Sequence, residues 1–176
     1  MHYDTIIGID PGSNGGIAVD NCGDVQIFKM PENISEVSDI LANFPGALVF
    51  IEKLSVRYTD VNIKDGMGKL FRLQKMIANF EQLKAAIEIA GMEYVQVHPM
   101  TWQSGLGLRI KDEPKPARKK RYKDVAAKVF PNLRVAMWNC DALLIMVFGG
   151  KAVAERPKWV AGNLPKKKIE KISSKK

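Results

Sequence analysis

The chain has 176 residues, 46% of them hydrophobic, and 27 Lys+Arg against 19 Asp+Glu give a formal charge of +8; this fits one soluble domain with a real core. No apolar run approaches the roughly 20 residues of a membrane span, no secretory leader is visible at "MHYDTIIGID", and Cys22 and Cys140 read as reduced thiols of a cytoplasmic protein, without zinc-site spacing to the two histidines. The positive charge sits in two segments, +6 over residues 109–128 and +7 over 156–176, which leaves the rest at −5; a mildly acidic body with basic segments suggests a polyanion partner around a site that holds cations.

The first predicted element is "TIIGID", a strand packed on both faces, with Gly8 admitting another backbone closely. It ends in Asp10, a carboxylate at the floor of a cleft that is costly to desolvate without a compensating cation or hydrogen bonds. Pro11 and Gly12 force a turn, Gly15 and Gly16 let the chain return through Ile17 to Val19, and "VQIFK" adds a third strand after Asn21 to Asp24. An ordinary hairpin with an Asp opening its turn reads the same way. "ENISEVSDILANF" carries Ile34, Val37, Ile40, Leu41 and Phe44 on one helical face, with Asn33 or Ser35 as cap and Pro45-Gly46 as stop. "ALVFIE" is a second buried strand that ends in a carboxylate, Glu52.

A loop from Lys53 to Lys69 follows, with Arg57, Tyr58 and Lys64 able to touch phosphates or stack on bases, or to serve as plain surface. A long helix is expected from about Lys69 to Ala90, stopped by Gly91. Its apolar residues cover more than one stripe, which fits either core alone or core plus a dimer interface. "EYVQVHP" is another strand, "PMTWQSGLGL" a short helix, and Lys119 to Phe130 an amphipathic helix ended by Pro131. Arg118, Lys119, Lys120, Arg121 and Lys123 cluster at its start, where cations oppose the helix dipole, so phosphate contact explains them better than helix stability does. Trp102 is expected under the sheet. A last helix runs from about Asn139 to Glu155 with Asp141 in its first turn, and residues 156–176 read as a basic disordered tail outside a 1–155 domain. The order β-β-β-α-β-α-β-α-α gives an α/β fold: a mixed five-stranded sheet, antiparallel meander plus parallel strands, flanked by helices.

If the first and fourth strands are parallel neighbours, Asp10 and Glu52 lie side by side, and Asp141 joins them if the last helix docks there. Three such carboxylates cannot all ionise without a cation, and hard oxygen ligands suit Mg²⁺ or Mn²⁺ acting on a phosphodiester. Taken singly, Asp141 is also a favourable helix-start acid and Glu52 a strand-end charge in water.

"GIDPGSNGG", "VFIEKL" and "CDALLI" resemble the three acidic motifs of the RuvC-type Holliday-junction resolvases, in the version carried by bacteriophages, and "VHPMTWQSGLGL" before a basic helix ending in "FP" extends the resemblance over residues 4–150. It implies a ribonuclease-H-like fold, a homodimer, Mg²⁺-dependent nicking of branched DNA in the cytoplasm of a host cell, and Asp10, Glu52 and Asp141 as metal ligands. Lys119 and Lys120, with Arg118 close behind, would stabilise charge on the cleaved phosphate, and Arg57, Tyr58, Lys64, Arg121 and Lys123 would contact DNA. Two positions depart from the family: Trp138 and Ala136 stand where a fourth acid or histidine is usual, with only the neutral amide of Asn139 nearby, and Gln103 follows Trp102 where a lysine is frequent. Competing readings are a junction-binding protein with little cleavage, a ribonuclease H, and an actin-like ATPase, which the single copy of the hairpin motif argues against; no nucleotide cofactor is expected.

Overall fold

A computed structural model describes residues 2–54 and 67–165. Five strands form one sheet: β1 (Thr5–Asp10), β2 (Gly16–Asn21), β3 (Asp24–Lys29), β4 (Leu48–Glu52) and β5 (Glu93–Val97). Their order is β3-β2-β1-β4-β5, with β1 antiparallel to β2 and parallel to β4, so the sheet is mixed as the chain order led one to expect and the condition set on β1 and β4 is met. The β2–β3 turn is tight because Cys22 and Gly23 both take positive φ, 52° and 90°. Six helices flank the sheet: α1 (Ile34–Ala42), α2 (Met67–Ile89), α3 (Pro99–Gly105), α4 (Lys115–Val129), α5 (Cys140–Glu155) and α6 (Pro157–Asn163).

Alternation along β1 splits the core in two. Ile7 and Ile9 face α1 and the C-terminal half of α2, through Leu41, Leu83 and Ile87. Ile6 faces the other side, where α5 supplies Leu143, Leu144, Ile145 and Phe148. Gly8 is what lets α5 lie against the strand, because a Cβ there would stand 2.3 Å from the Ala142 carbonyl oxygen and 2.4 Å from the Met146 nitrogen. The close backbone approach read from that glycine is the α5 contact.

Two boundaries and one cap differ from the sequence expectation. Helix α4 begins at Lys115, four residues early, because Pro116 in its first turn suits a helix start. The expected tail from residue 156 instead opens with α6: Val160 is fully buried and Trp159 stacks edge-on against Phe148 at 5.8 Å. Burial of Val160 and partial burial of Trp159 offset the ordering of a short, lysine-flanked segment. Asn33 is the N-cap residue of α1, but its side chain donates to Glu36 instead of capping the backbone. No helix among the described residues is long and apolar enough to cross a membrane.

Candidate active site

Asp10 and Glu52 are neighbours because β1 and β4 are parallel and in register, Ile9 opposite Ile51, so both strands deliver their terminal acids to one end of the sheet. Helix α5 lies along β1 on the Gly8 contact, and that contact, one turn from its start, carries Asp141 to the same end. All three carboxylates line one open cleft of about 810 Å³, together with Trp102, Lys119 and Trp138.

The electrostatics are those of acids short of positive charge. Burial, then the charge of Asp141, pushes the Asp10 carboxyl above its ordinary value, against Lys119 and a 3.4 Å hydrogen bond from the Gly12 N–H. Burial lifts Glu52 to about 7, with Asp10 and Asp141 adding to the effect and the Trp102 N–H opposing it. Lys119 supplies part of the missing charge: its ammonium donates to Asp141 Oδ2 at 2.5 Å. Burial alone would lower the Lys119 pKa, but the charge and hydrogen bond of Asp141 outweigh it and the net shift is upward. Burial beside Asp141 raises the Cys140 thiol to about 12, so it is no nucleophile at neutral pH.

These shifts fix the sign of a pH effect. Unfolded, Glu52 releases its proton near 4.5; folded, it keeps it to about 7. The stabilisation is therefore complete below the unfolded value and lost as pH rises through about 7. Asp10 acts in the same direction. Without divalent cations, the chain is expected to lose roughly 2 kcal/mol of stability between pH 5 and pH 8. Thermal melts in EDTA would check this; a flat profile over that window would contradict the placement of Glu52.

The helical repeat sorts the basic cluster. Lys115, Arg118 and Lys119 line the cleft with Tyr122, whereas Lys120 and Arg121 fall on other faces of α4 and Lys123, one turn beyond Lys119, lies outside the cleft lining. Lys120, put forward beside Lys119 as catalytic, is exposed and outside the cleft lining. Arg121 is engaged elsewhere, in a two-pronged bond to Glu113 at 2.8 and 2.6 Å and a bond to the Leu108 carbonyl at 2.7 Å, which ties the loop before α4 to the helix. Lys53 lines the cleft's extension beyond Glu52 together with Arg118. Arg57, Tyr58 and Lys64 lie outside the described residues.

Two features could not be read from the sequence. Trp102 is buried as expected, but it also donates its indole N–H to Glu52 Oε2 at 2.7 Å. The general need of a buried indole for an acceptor was the one available signal. Asn139, the only neutral candidate for the place of a fourth acid, has its amide spent on the preceding loop: Oδ1 accepts from the Ala136 N–H at 2.8 Å and Nδ2 donates to the Arg134 carbonyl at 3.1 Å. The Trp138 ring packs over Gly16, where a Cβ would come within 3.0 Å of it.

As a metal site the donor set fits in chemistry, since it offers three half-buried acidic groups that repel one another and favour a hard cation. It is not closed in geometry: among the described residues no group of three or more His, Cys, Asp or Glu side chains stands ready to hold a metal ion. Lys119 on Asp141 and the indole on Glu52 occupy one oxygen of each.

A mixed sheet of this order, flanked by helices, is a ribonuclease-H-like fold. Solved structures of one protein share it with this chain. In a structure described as T. thermophilus RuvC in complex with Holliday junction substrate, the match covers 87% of this chain and 96% of that one at 16% identity and a TM-score of 0.56. A second Thermus thermophilus RuvC structure matches over 91% and 98% at 14% identity and a TM-score of 0.51. Likeness at such identities is a likeness of fold. No protein-family model and no curated protein matches the chain.

Proposed function

We propose that the chain is a metal-dependent endonuclease that resolves four-way junctions and other branched DNA by phosphodiester hydrolysis. The observation that carries this reading is the meeting of Asp10, Glu52 and Asp141 in one cleft beside Lys119. The fold shared with RuvC, which has been solved with a Holliday junction substrate, supports the choice of branched DNA.

In this reading Asp10, Glu52 and Asp141 hold Mg²⁺ or Mn²⁺. The bound cation supplies Lewis-acid stabilisation of the phosphate and a more acidic water. The chain supplies the rest. The sheet end fixes two carboxylates on parallel strands, so their spacing is set by the β1–β4 register. With a cation held by Asp141, the half-buried Lys119 ammonium beside it would be placed to offer its charge to a phosphate oxygen. Arg118 and Lys115 at the cleft edge hold the flanking backbone. Helix α2 leaves Leu70, Phe71, Met76 and Ile77 exposed, the opposite of what a monomer's surface helix shows, and this supports self-association as a homodimer through that half of the helix.

A second reading is junction binding with little cleavage. The ion pair on Asp141 and the committed amide of Asn139 favour it, because both reduce the ligands open to a cation. Incubation of an end-labelled four-way junction with the full chain separates the readings. Nicked products in Mg²⁺ or Mn²⁺, abolished by EDTA, are expected. Junction binding without products in either metal would favour the second reading, and faster cutting of an RNA–DNA hybrid would move the assignment to a ribonuclease H.

A further inference from the structure

Trp102 is only 1% exposed, on a short helix whose first turn is capped by His98 Nδ1 accepting from the Met100 N–H at 3.2 Å. Its ring meets Tyr122 of α4 edge-on at 5.4 Å. The Tyr122 hydroxyl is buried without a hydrogen-bond partner among the described residues, so of the two polar ends of this aromatic pair only the indole is satisfied, and the group that satisfies it is Glu52. A buried indole N–H without an acceptor is costly, and Glu52 is fixed by the same bond that meets this need.

We propose that Trp102 is the positioning residue of Glu52: its indole N–H holds Oε2 and leaves Oε1, which has no hydrogen-bond partner among the described residues, to take a divalent cation in the cleft. The proposal rests on the metal reading given above. A glutamate at a strand end has three free side-chain torsions, and a cation that had to order them would bind more weakly. The indole orders them beforehand, from a ring that the fold itself locks between α4 and the sheet. Partners of this kind behind a ligating carboxylate are worth about 10–100-fold in metal affinity.

The test is Mn²⁺ binding to the full chain, followed by electron paramagnetic resonance of the free ion, for wild type and Trp102→Phe, which keeps an aromatic body against Tyr122 and removes the donor. The expected result is a Kd for Mn²⁺ raised by about 10-fold or more, with the melting transition still cooperative. A purely structural tryptophan would shift the melt and leave the Kd alone. Unchanged Mn²⁺ affinity in folded Trp102→Phe would overturn the positioning role and leave the metal reading standing. A wild-type chain that takes up no Mn²⁺ would overturn both. Should the variant fail to fold, the indole proton resonances of the wild type decide. Mn²⁺ is expected to broaden the Trp102 signal while Trp159, packed against Phe148 away from the cleft, stays sharp; a Trp102 signal untouched by Mn²⁺ overturns the proposal.

Discussion

Asp10→Asn is expected to slow metal-supported cleavage of a four-way junction by on the order of 10³-fold or more, with the fold intact. The argument is local. Asparagine keeps the volume, and its oxygen still accepts from the Gly12 N–H, so the turn after β1 survives. What disappears is a negative charge that burial and Asp141 already disfavour. Removing a strained charge does not weaken the metal-free protein; its melting temperature should stay level or rise. The same change strips the cleft of one of the three carboxylates proposed to hold the cation. Junction binding in EDTA should persist, because Lys115 and Arg118 are untouched. The rate of nicking at saturating Mg²⁺, read beside a thermal melt, checks both halves. Cleavage within tenfold of wild type would remove Asp10 from the chemistry.

Gly8→Ala is expected to cost about 3 kcal/mol or more, or to prevent folding. One methyl group there would sit 2.3 Å from a backbone oxygen and 2.4 Å from a backbone nitrogen of α5. Side-chain rotation cannot relieve a clash between two backbones, so α5 must lift from β1. Lifting it opens the Leu143–Phe148 core and withdraws Asp141 from the sheet end. Gly150→Ala, on the same helix, is the matched control. A Cβ at that position meets nothing within 4 Å, and alanine is favoured over glycine inside a helix by up to about 1 kcal/mol. Opposite signs for the two substitutions in urea titrations are the expected result. A mild effect at Gly8 would mean that α5 is not seated as described.

Much of this arrangement was legible in the residues. The apolar run Ile6 to Ile9 ending in Asp10, and its counterpart ending in Glu52, announce central strands with acids at the same end, because a parallel pair has no other way to place them. The glycine within the first run announces a close neighbour. What could not be read is whatever depends on helix phase or on distant partners. Lys119 and Lys120 are equal in a string of letters; the 3.6-residue repeat sends one into the cleft and the other to solvent. The Trp102–Glu52 bond joins residues 50 apart in sequence, and no local pattern encodes it. Helix α6 was hidden because one buried side chain, Val160, and one partly buried one, Trp159, carry it within a lysine-rich segment whose composition reads as disorder. Asn139 presented the opposite difficulty: it looked available as a ligand, and the loop it braces is visible only in three dimensions.

The claim on which the account turns is that the carboxylates at the ends of β1 and β4 and at the start of α5 close on a divalent cation. Anomalous diffraction from crystals of the full chain grown in Mn²⁺ measures this directly. The account predicts a peak within coordination distance of Asp10, Glu52 and Asp141, with Lys119 moved off Asp141. Well-diffracting crystals in saturating Mn²⁺ that show no peak in the cleft, with Lys119 still bonded to Asp141, would contradict it.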